Sequence, residues 1–211
     1  MSLISDRLTQ FASSKLAVLL DDAGSGRAVI VAPAHSISEE LVNKILTLSG
    51  GLTFVAVSPE RASAFLLSPM SRSQVSTRAG EGQHLSLYTS VEARSGVSTG
   101  ISAADRATTL RILGEQTPLP RSLVRPGHIF PVETKVGGVL VRAAIPEAAL
   151  DVAVLSGFTD AALFMDLLNH SGDVLSATDA RALAQVHDIP LFSISELIQY
   201  RVSREQLLSL I

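Results

Sequence analysis

The sequence predicts a single mixed α/β (α+β) domain, and three observations carry that reading. Short continuous apolar runs alternate with stretches of helical period that open on capping residues. No linker-like segment and no repeat of fixed period divides the chain. Of the 211 residues, 46% are hydrophobic and 18% charged, which is enough for a sizeable core and too little charge for a disordered chain.

The first run, Leu16 to Leu20, is short and unbroken, as a strand covered on both faces is. Asp21 to Gly26 follows as a turn, and Ala28 to Ala32 reads as a second strand closed by Pro33. Ser38 caps a helix with Glu39 and Glu40 in its first turn, where the helix dipole favours negative charge. Leu41, Val42, Ile45 and Leu48 keep helical period until Gly50-Gly51 ends it. Leu52 to Val57 is a third strand, and Ser58-Pro59-Glu60 opens a compact helix with proline at its first position. The polar stretch 68–83 is expected to be an exposed loop, and Leu85, Leu87 and Val91 to mark a partly alternating strand. A glycine-bounded loop at 96–101 leads into a helix from about Ala103 to Leu113. Further on, Gly137 to Ala143 reads as a strand, Pro146 to about Ser156 as a helix, Ala161 to Leu168 as a strand and Asn169 to Asp173 as a turn. Thr178 to Val186 and Ser195 to Val202 read as helices, each opened by a capping hydroxyl, and Arg204 to Ile211 as an amphipathic tail.

The net charge of −3 offers no basic footprint for nucleic acid. The absence of cysteine excludes disulfides, thiol nucleophiles and zinc–thiolate or iron–sulfur sites. Asp6 and Arg7 interrupt the stretch where a signal peptide needs an apolar run, and no window approaches 18 consecutive apolar residues. A soluble, cytoplasmic protein without nucleic-acid or membrane partners is expected.

Two stretches carry chemistry. In GVSTGISAADRATTLR (96–111), two glycines bracket Ser98 and Thr99 just before a helix, and Ser102 with Asp105 has the spacing of a capping box. Free N–H groups at such a helix start, with hydroxyls and Arg106 and Arg111 nearby, suit an anion. An ordinary capped helix with solvent-facing arginines has the same spacing. In Val124-Arg125-Pro126-Gly127-His128-Ile129-Phe130-Pro131, two prolines and a glycine place Arg125 and His128 on one short rigid loop. That loop suits a phosphate donor beside a metal ligand or proton carrier, or else a plain turn with a surface histidine. His35, His170 and His187 show no metal spacing and read as surface or turn residues, and Asp151 and Asp166 lie on regular elements without an evident partner.

Together, GVSTGISAADRATTLR and RPGHIFP resemble the signature blocks of the 3,4-dihydroxy-2-butanone 4-phosphate synthase family. Weaker matches follow in order: Ser58 to Arg61, Ser68 to Met70, Gly137 to Leu140, Glu147 to Asp151 and Glu196 to Arg201. The resemblance spans residues 15–202, leaving 1–14 as an N-terminal segment and 203–211 as the tail. It implies a three-layer sandwich and the conversion of ribulose 5-phosphate to formate and 3,4-dihydroxy-2-butanone 4-phosphate, a riboflavin precursor. It also implies Mg²⁺ or Mn²⁺ and a homodimer with active sites at the subunit interface. By position, Arg125, Pro126, Gly127, His128 and Ile129 would hold the substrate phosphate, with Thr99 in the glycine-bounded loop beside them. His128 would be a metal ligand, Arg111 would be linked to catalysis, and Glu147 would act as an acid/base on the sugar. Some members continue into a GTP cyclohydrolase II domain, and none is expected here.

The chain departs from the family where the acids should be. Members follow the first strand with a run resembling DDEDRENEGD. Here the segment is Asp21-Asp22-Ala23-Gly24-Ser25-Gly26-Arg27-Ala28-Val29, about one residue shorter and stripped of its Arg-Glu-Asn-Glu core. A cysteine common on the third strand is Phe54, and the histidine usual two residues before Glu147 is Ile145. The Asp-x-His-Gly-Thr block falls near residues 80–86, with His84 one position out of register. Magnesium takes hard oxygen ligands, so one imidazole is a poor site. Each positioned acid–base group is worth about 10²–10⁴-fold, so turnover should suffer. The expectation is a catalytically impaired homologue that binds a phosphorylated sugar, as a homodimer or paired with an active synthase subunit. The alternatives are an enzyme acting on a related phosphosugar, and a working synthase with a relocated metal site.

Overall fold

The computed structural model describes residues 3–70 and 86–208. His84 and most of the expected loop at 68–83 lie outside the described residues. The elements are α1 (Ile4–Ser14), β1 (Ala17–Leu20), β2 (Ala28–Pro33), α2 (Glu39–Ser49), β3 (Phe54–Val57), α3 (Pro59–Ala64), β4 (Ser86–Leu87), β5 (Val91–Ala93) and α4 (Ala103–Leu113). They continue with β6 (Leu123–Glu133), α5 (Ile145–Leu155), β7 (Ala161–Asp166), α6 (Ala177–Val186), β8 (Leu191–Ser193) and α7 (Ile194–Leu208).

One mixed sheet runs in the order β4-β6-β3-β7-β2-β1-β8, with β5 joined to β6. The β1–β2, β2–β7 and β3–β7 pairs are antiparallel, and β3–β6 and β1–β8 are parallel. Successive residues of each central strand enter two different cores. Val18, Leu20, Ile30, Val55 and Leu163 pack with Val42 and Ile45 of α2 and Leu110 and Leu113 of α4. Ala17, Leu19, Val29, Ala56 and Phe164 pack with Phe11 of α1, Ala148 and Val152 of α5 and Leu197 of α7. Both faces are thus covered, which is why the strands read as unbroken apolar runs, and the expected three-layer sandwich is what forms.

The helix starts follow the caps. Ser38 accepts from the Leu41 N–H at 3.2 Å and Ser102 from the Asp105 N–H at 3.1 Å. Gly50, at φ +72°, ends α2 in the left-handed conformation.

Several expectations need correcting. Gly137 to Ala143 is not a strand but a turn with a single 3-10 turn at Gly138–Leu140. Gly137 and Gly138 take φ of +94° and +61°, and two left-handed residues in succession cannot continue a strand. Residues 124–131, expected as a short loop, lie inside the 11-residue strand β6. Its pairing with β5 jumps from Val91↔Ile129 to Glu92↔Val124, so Arg125 to His128 bulge out of the ladder. Leu85 lies outside the described residues, and the rest of the expected strand through Leu87 and Val91 is two short strands, β4 and β5. The cap of α6 is Ser176, two residues before Thr178. Helix α7 begins directly after β8, with the Ser195 N–H held by Asp22 at 3.0 Å, and continues through part of the expected tail. Helix α1, not anticipated, buries Leu8 and Phe11.

Candidate functional site

The loop between β5 and α4 is built around one carboxylate. Asp105, in the first turn of α4, accepts from the Ser98 N–H (3.1 Å), the Ser98 hydroxyl (2.9 Å) and the Gly100 N–H (3.0 Å). Burial raises the pKa of Asp105, but these bonds, with that from Ser102, outweigh it and leave the carboxyl below its ordinary value. The amides of Ser98 and Gly100, expected to be free for an anion, are therefore satisfied from within. Thr99 is exposed, with its hydroxyl 3.4 Å from the Ile101 N–H.

The Asp105 clasp presses Gly100 onto the neighbouring strand. A side chain at Gly100 would put its Cβ 1.9 Å from Glu92 Oε2 and 2.6 Å from His128 Nδ1. Glu92 Oε2 and His128 Nδ1 are 2.7 Å apart, and Glu92 Oε1 accepts from the Thr109 hydroxyl at 2.6 Å. Arg106 closes the cluster by donating to the Thr53 hydroxyl at 2.6 Å and to the Ile101 carbonyl at 2.8 Å. Burial lowers the Arg106 pKa, and the Glu92 charge opposes that.

In the bulge of β6, His128 keeps 43% of its side chain exposed. Pro126 is exposed, and Ile129 is fully buried in the core. The Gly127 N–H donates to the Ser90 hydroxyl at 3.2 Å, and a Cβ there would come 2.1 Å from the Val91 carbonyl carbon. Arg125 donates to the carbonyls of Phe65 (2.8 Å) and Leu66 (3.2 Å), so its guanidinium is already engaged with backbone.

The other two expected catalytic residues stand elsewhere. Glu147 is fully buried at the start of α5, accepting from the Lys135 N–H at 2.8 Å and paired with Arg142 at 2.5 Å. Lys135 follows the far end of β6. The five residue steps from His128 to Glu133 alone span roughly 16 Å, so one chain does not unite Glu147 with His128. Arg111 is exposed on α4 and donates to the Ile37 carbonyl (3.1 Å) and the Thr108 hydroxyl (3.1 Å).

The β1–β2 turn lies at the same end of the sheet as His128. There β2 begins, β7 ends at Asp166, and β3 begins at Phe54, which pairs with Phe130. Three strand spacings separate β2 from β6, roughly 14 Å. Asp21 Oδ2 accepts from the Ser25 N–H (2.8 Å) and hydroxyl (2.6 Å), and Asp22 holds the start of α7. Asp166 pairs with Arg27, and Asp151 with Arg201, supplying the partners that their spacing did not reveal.

A cavity of about 270 Å³ opens between Lys135, Gly138, Asp151 and Arg201, and contains none of the expected site residues. Among the described residues, no three His, Asp or Glu side chains converge as a metal site. Glu92 is the residue that sequence reasoning missed. The available signal was one acid between Val91 and Ala93, on a strand leading into the glycine-bounded loop.

Known proteins match this arrangement along nearly its whole length. The family model described as 3,4-dihydroxy-2-butanone 4-phosphate synthase matches residues 5–200. The 3,4-dihydroxy-2-butanone 4-phosphate synthase of Proteus mirabilis is 33% identical over 189 residues, covering 90% of this chain and 85% of its own. The riboflavin biosynthesis protein RibBA of Chlorobium phaeovibrioides is 34% identical over 207 residues, and this chain spans about half of it (49%). A crystal structure of a 3,4-dihydroxy-2-butanone 4-phosphate synthase in complex with two magnesium ions superposes with a TM-score of 0.88 at 26% identity, covering 97% of this chain and 99% of that one. The two-domain synthase RibBX of A. baumannii superposes at 0.85 with 30% identity, over 95% of this chain and 58% of that one. The buried clasp, the bulged RPGH strand and the three-layer sheet are thus those of a chain that belongs to the 3,4-dihydroxy-2-butanone 4-phosphate synthase family of riboflavin biosynthesis.

Proposed function

We propose that this chain is a catalytically impaired member of its family that retains a phosphosugar-binding half-site around His128. The observation that supports this most is the fate of the two surviving acids. Asp21 turns Oδ2 back onto Ser25 and leaves Oδ1 buried without a hydrogen-bond partner, and Asp22 caps α7, so both carboxylates are drawn into the turn and not across the sheet. Abstracting a proton from a carbon acid such as ribulose 5-phosphate needs a polarising cation and several acid–base groups. A solved relative carries two magnesium ions. Among the described residues the donors do not fit that cation: no three carboxylates or imidazoles converge, and the one carboxylate paired with His128 is Glu92, already hydrogen-bonded to Thr109. No step is therefore routed through a metal.

What remains suits binding. The exposed edge of His128, the hydroxyl of Thr99 and the partly desolvated Arg106 offer donors to a phosphate or sugar hydroxyl. Arg125 contributes only if it releases the Phe65 and Leu66 carbonyls. Because Glu147 and Arg111 stand away from His128, a complete site requires a second copy, as a homodimer or with an active synthase subunit. A cytoplasmic setting fits this role.

One observation favours the alternative, an active lyase: Glu147 is still held through Oε1 by Arg142 and the Lys135 N–H, with Oε2 buried and without a hydrogen-bond partner. The deciding experiment gives purified protein ribulose 5-phosphate with excess Mg²⁺ and follows formate beside calorimetric titration of the sugar phosphate. Binding without formate is expected. Formate at a rate comparable to a known synthase would overturn impairment, and no binding would overturn the half-site.

A further inference from the structure

We infer that Glu92 is a positioning residue that locks His128 in one tautomer, with the proton on Nδ1 and the Nε2 lone pair presented to the site. The inference deepens the half-site reading, since it matters functionally only if His128 serves that site.

The argument starts from cost. Glu92 is 7% exposed on β5, between the buried Val91 and Ala93. A carboxylate in such a place is tolerated only when its oxygens are bonded. Oε1 takes the Thr109 hydroxyl at 2.6 Å, while Thr109 Oγ1 accepts the Ala93 N–H at 3.0 Å. The Thr109 hydroxyl has the Asp105 carbonyl at 3.2 Å as its other acceptor, but meets Glu92 at the shorter distance and so holds Oε1. Oε2 is then left facing His128 Nδ1 at 2.7 Å.

The tautomer follows from the inventory of donors. An ionised carboxylate only accepts, so the ring nitrogen it meets carries the hydrogen. In the neutral ring, Nε2 is then the acceptor.

Two backbone features make this an organised pair rather than a chance contact. The pairing of β5 with β6 breaks between Val91 and Glu92, and the bulge that results carries His128 back over Glu92. Gly100, at φ +80°, lies so close that a Cβ would overlap both side chains. The clasped loop therefore shuts the pair in from above and leaves no room for another side chain to compete for Nδ1.

The test uses the full chain labelled with ¹⁵N-histidine, reading two-bond ¹H–¹⁵N correlations above the range of imidazole protonation, with His128→Ala to assign the resonance. Wild type should show His128 wholly as the Nδ1–H tautomer. Glu92→Gln should show a mixture, because an amide both donates and accepts, and Glu92→Asp should restore much of the original pattern. A wild-type ring protonated at Nε2 would overturn the inference without any variant, as would an unchanged pattern in Glu92→Gln. If the half-site binds the sugar phosphate, Glu92→Gln should weaken it by up to about tenfold, the worth of one hydrogen bond. Absence of binding with the Nδ1–H tautomer intact would sink the half-site and leave the pair standing.

Discussion

Arg27, at the entrance to β2, reaches Asp166 at the end of β7, its Nε at 3.1 Å and its Nη2 at 2.5 Å from the same carboxylate oxygen. This pair and the Asp21–Ser25 contacts hold the short turn down where the family carries its acidic run.

The two contacts should differ in strength. Arg27 is about a third exposed, so Arg27→Ala should cost no more than roughly 1 kcal/mol. Asp21 is 4% exposed and accepts two bonds from Ser25, so Asp21→Ala should cost roughly 1–3 kcal/mol. Urea denaturation of both variants measures this. A large loss of sugar-phosphate binding in a stably folded Asp21→Ala would instead place Asp21 in the site.

The Asp105 clasp should be sensitive to acid. Its pKa is lowered in the folded state, so its contribution is fully present above the unfolded value of 3.8 and is lost as pH falls through the lower folded value. Thermal unfolding between pH 6 and 3 should show wild type losing more stability than Asp105→Asn. Parallel curves for the two proteins would show that the clasp contributes nothing.

Gly127→Ala should be far harsher than its size suggests. The added methyl meets the Val91 carbonyl and the Glu92 amide, both backbone, at 2.1–2.4 Å. Loss of more than about 4 kcal/mol or failure to fold is expected, read by circular dichroism and soluble yield. A variant as stable as wild type would mean that β5 and β6 are less tightly apposed.

Glu147 and Arg111, paired by the family resemblance, should separate by experiment. Glu147→Ala removes a fully buried carboxylate from its ion pair with Arg142 and its bond from the Lys135 N–H, and should cost about 3–5 kcal/mol. Arg111→Ala, on an exposed face, should change stability by no more than about 0.5 kcal/mol. Calorimetric melting distinguishes them, and equal costs would contradict this placement.

Much of the fold was legible because β1, β2, β3 and β7 are covered on both faces and so are unbroken apolar runs. Helix starts at Ser38, Ser58 and Ser102 were legible because the capping hydroxyl is itself the signal. Strand β6 was not, since two prolines and a glycine in a strand are tolerated only through a bulge, and a bulge depends on its partner strand. Strand β8 has three residues, too few for any period to emerge. Within the site, His128 was legible from its motif, but Glu92 acquires meaning only when the bulge brings the ring onto it. The resemblance placed Arg125 as a phosphate donor, whereas its engagement with Phe65 and Leu66 comes from a tertiary contact about 60 residues away.

The β1–β2 hairpin holds its ends independently of what lies between them. Leu20 pairs with Ala28, and the Asp21 N–H donates to the Arg27 carbonyl at 2.8 Å. Closing a longer loop over fixed ends costs only about 0.6 kcal/mol for each doubling in length. The scaffold is therefore a ready recipient for insertion: a longer, carboxylate-rich segment can be transplanted between Asp22 and Arg27, leaving the closing pair Asp21–Arg27 in place, without disturbing either core. Chemistry at this end of the sheet is in that sense modular, removable and replaceable through one hairpin while the rest of the molecule keeps its shape.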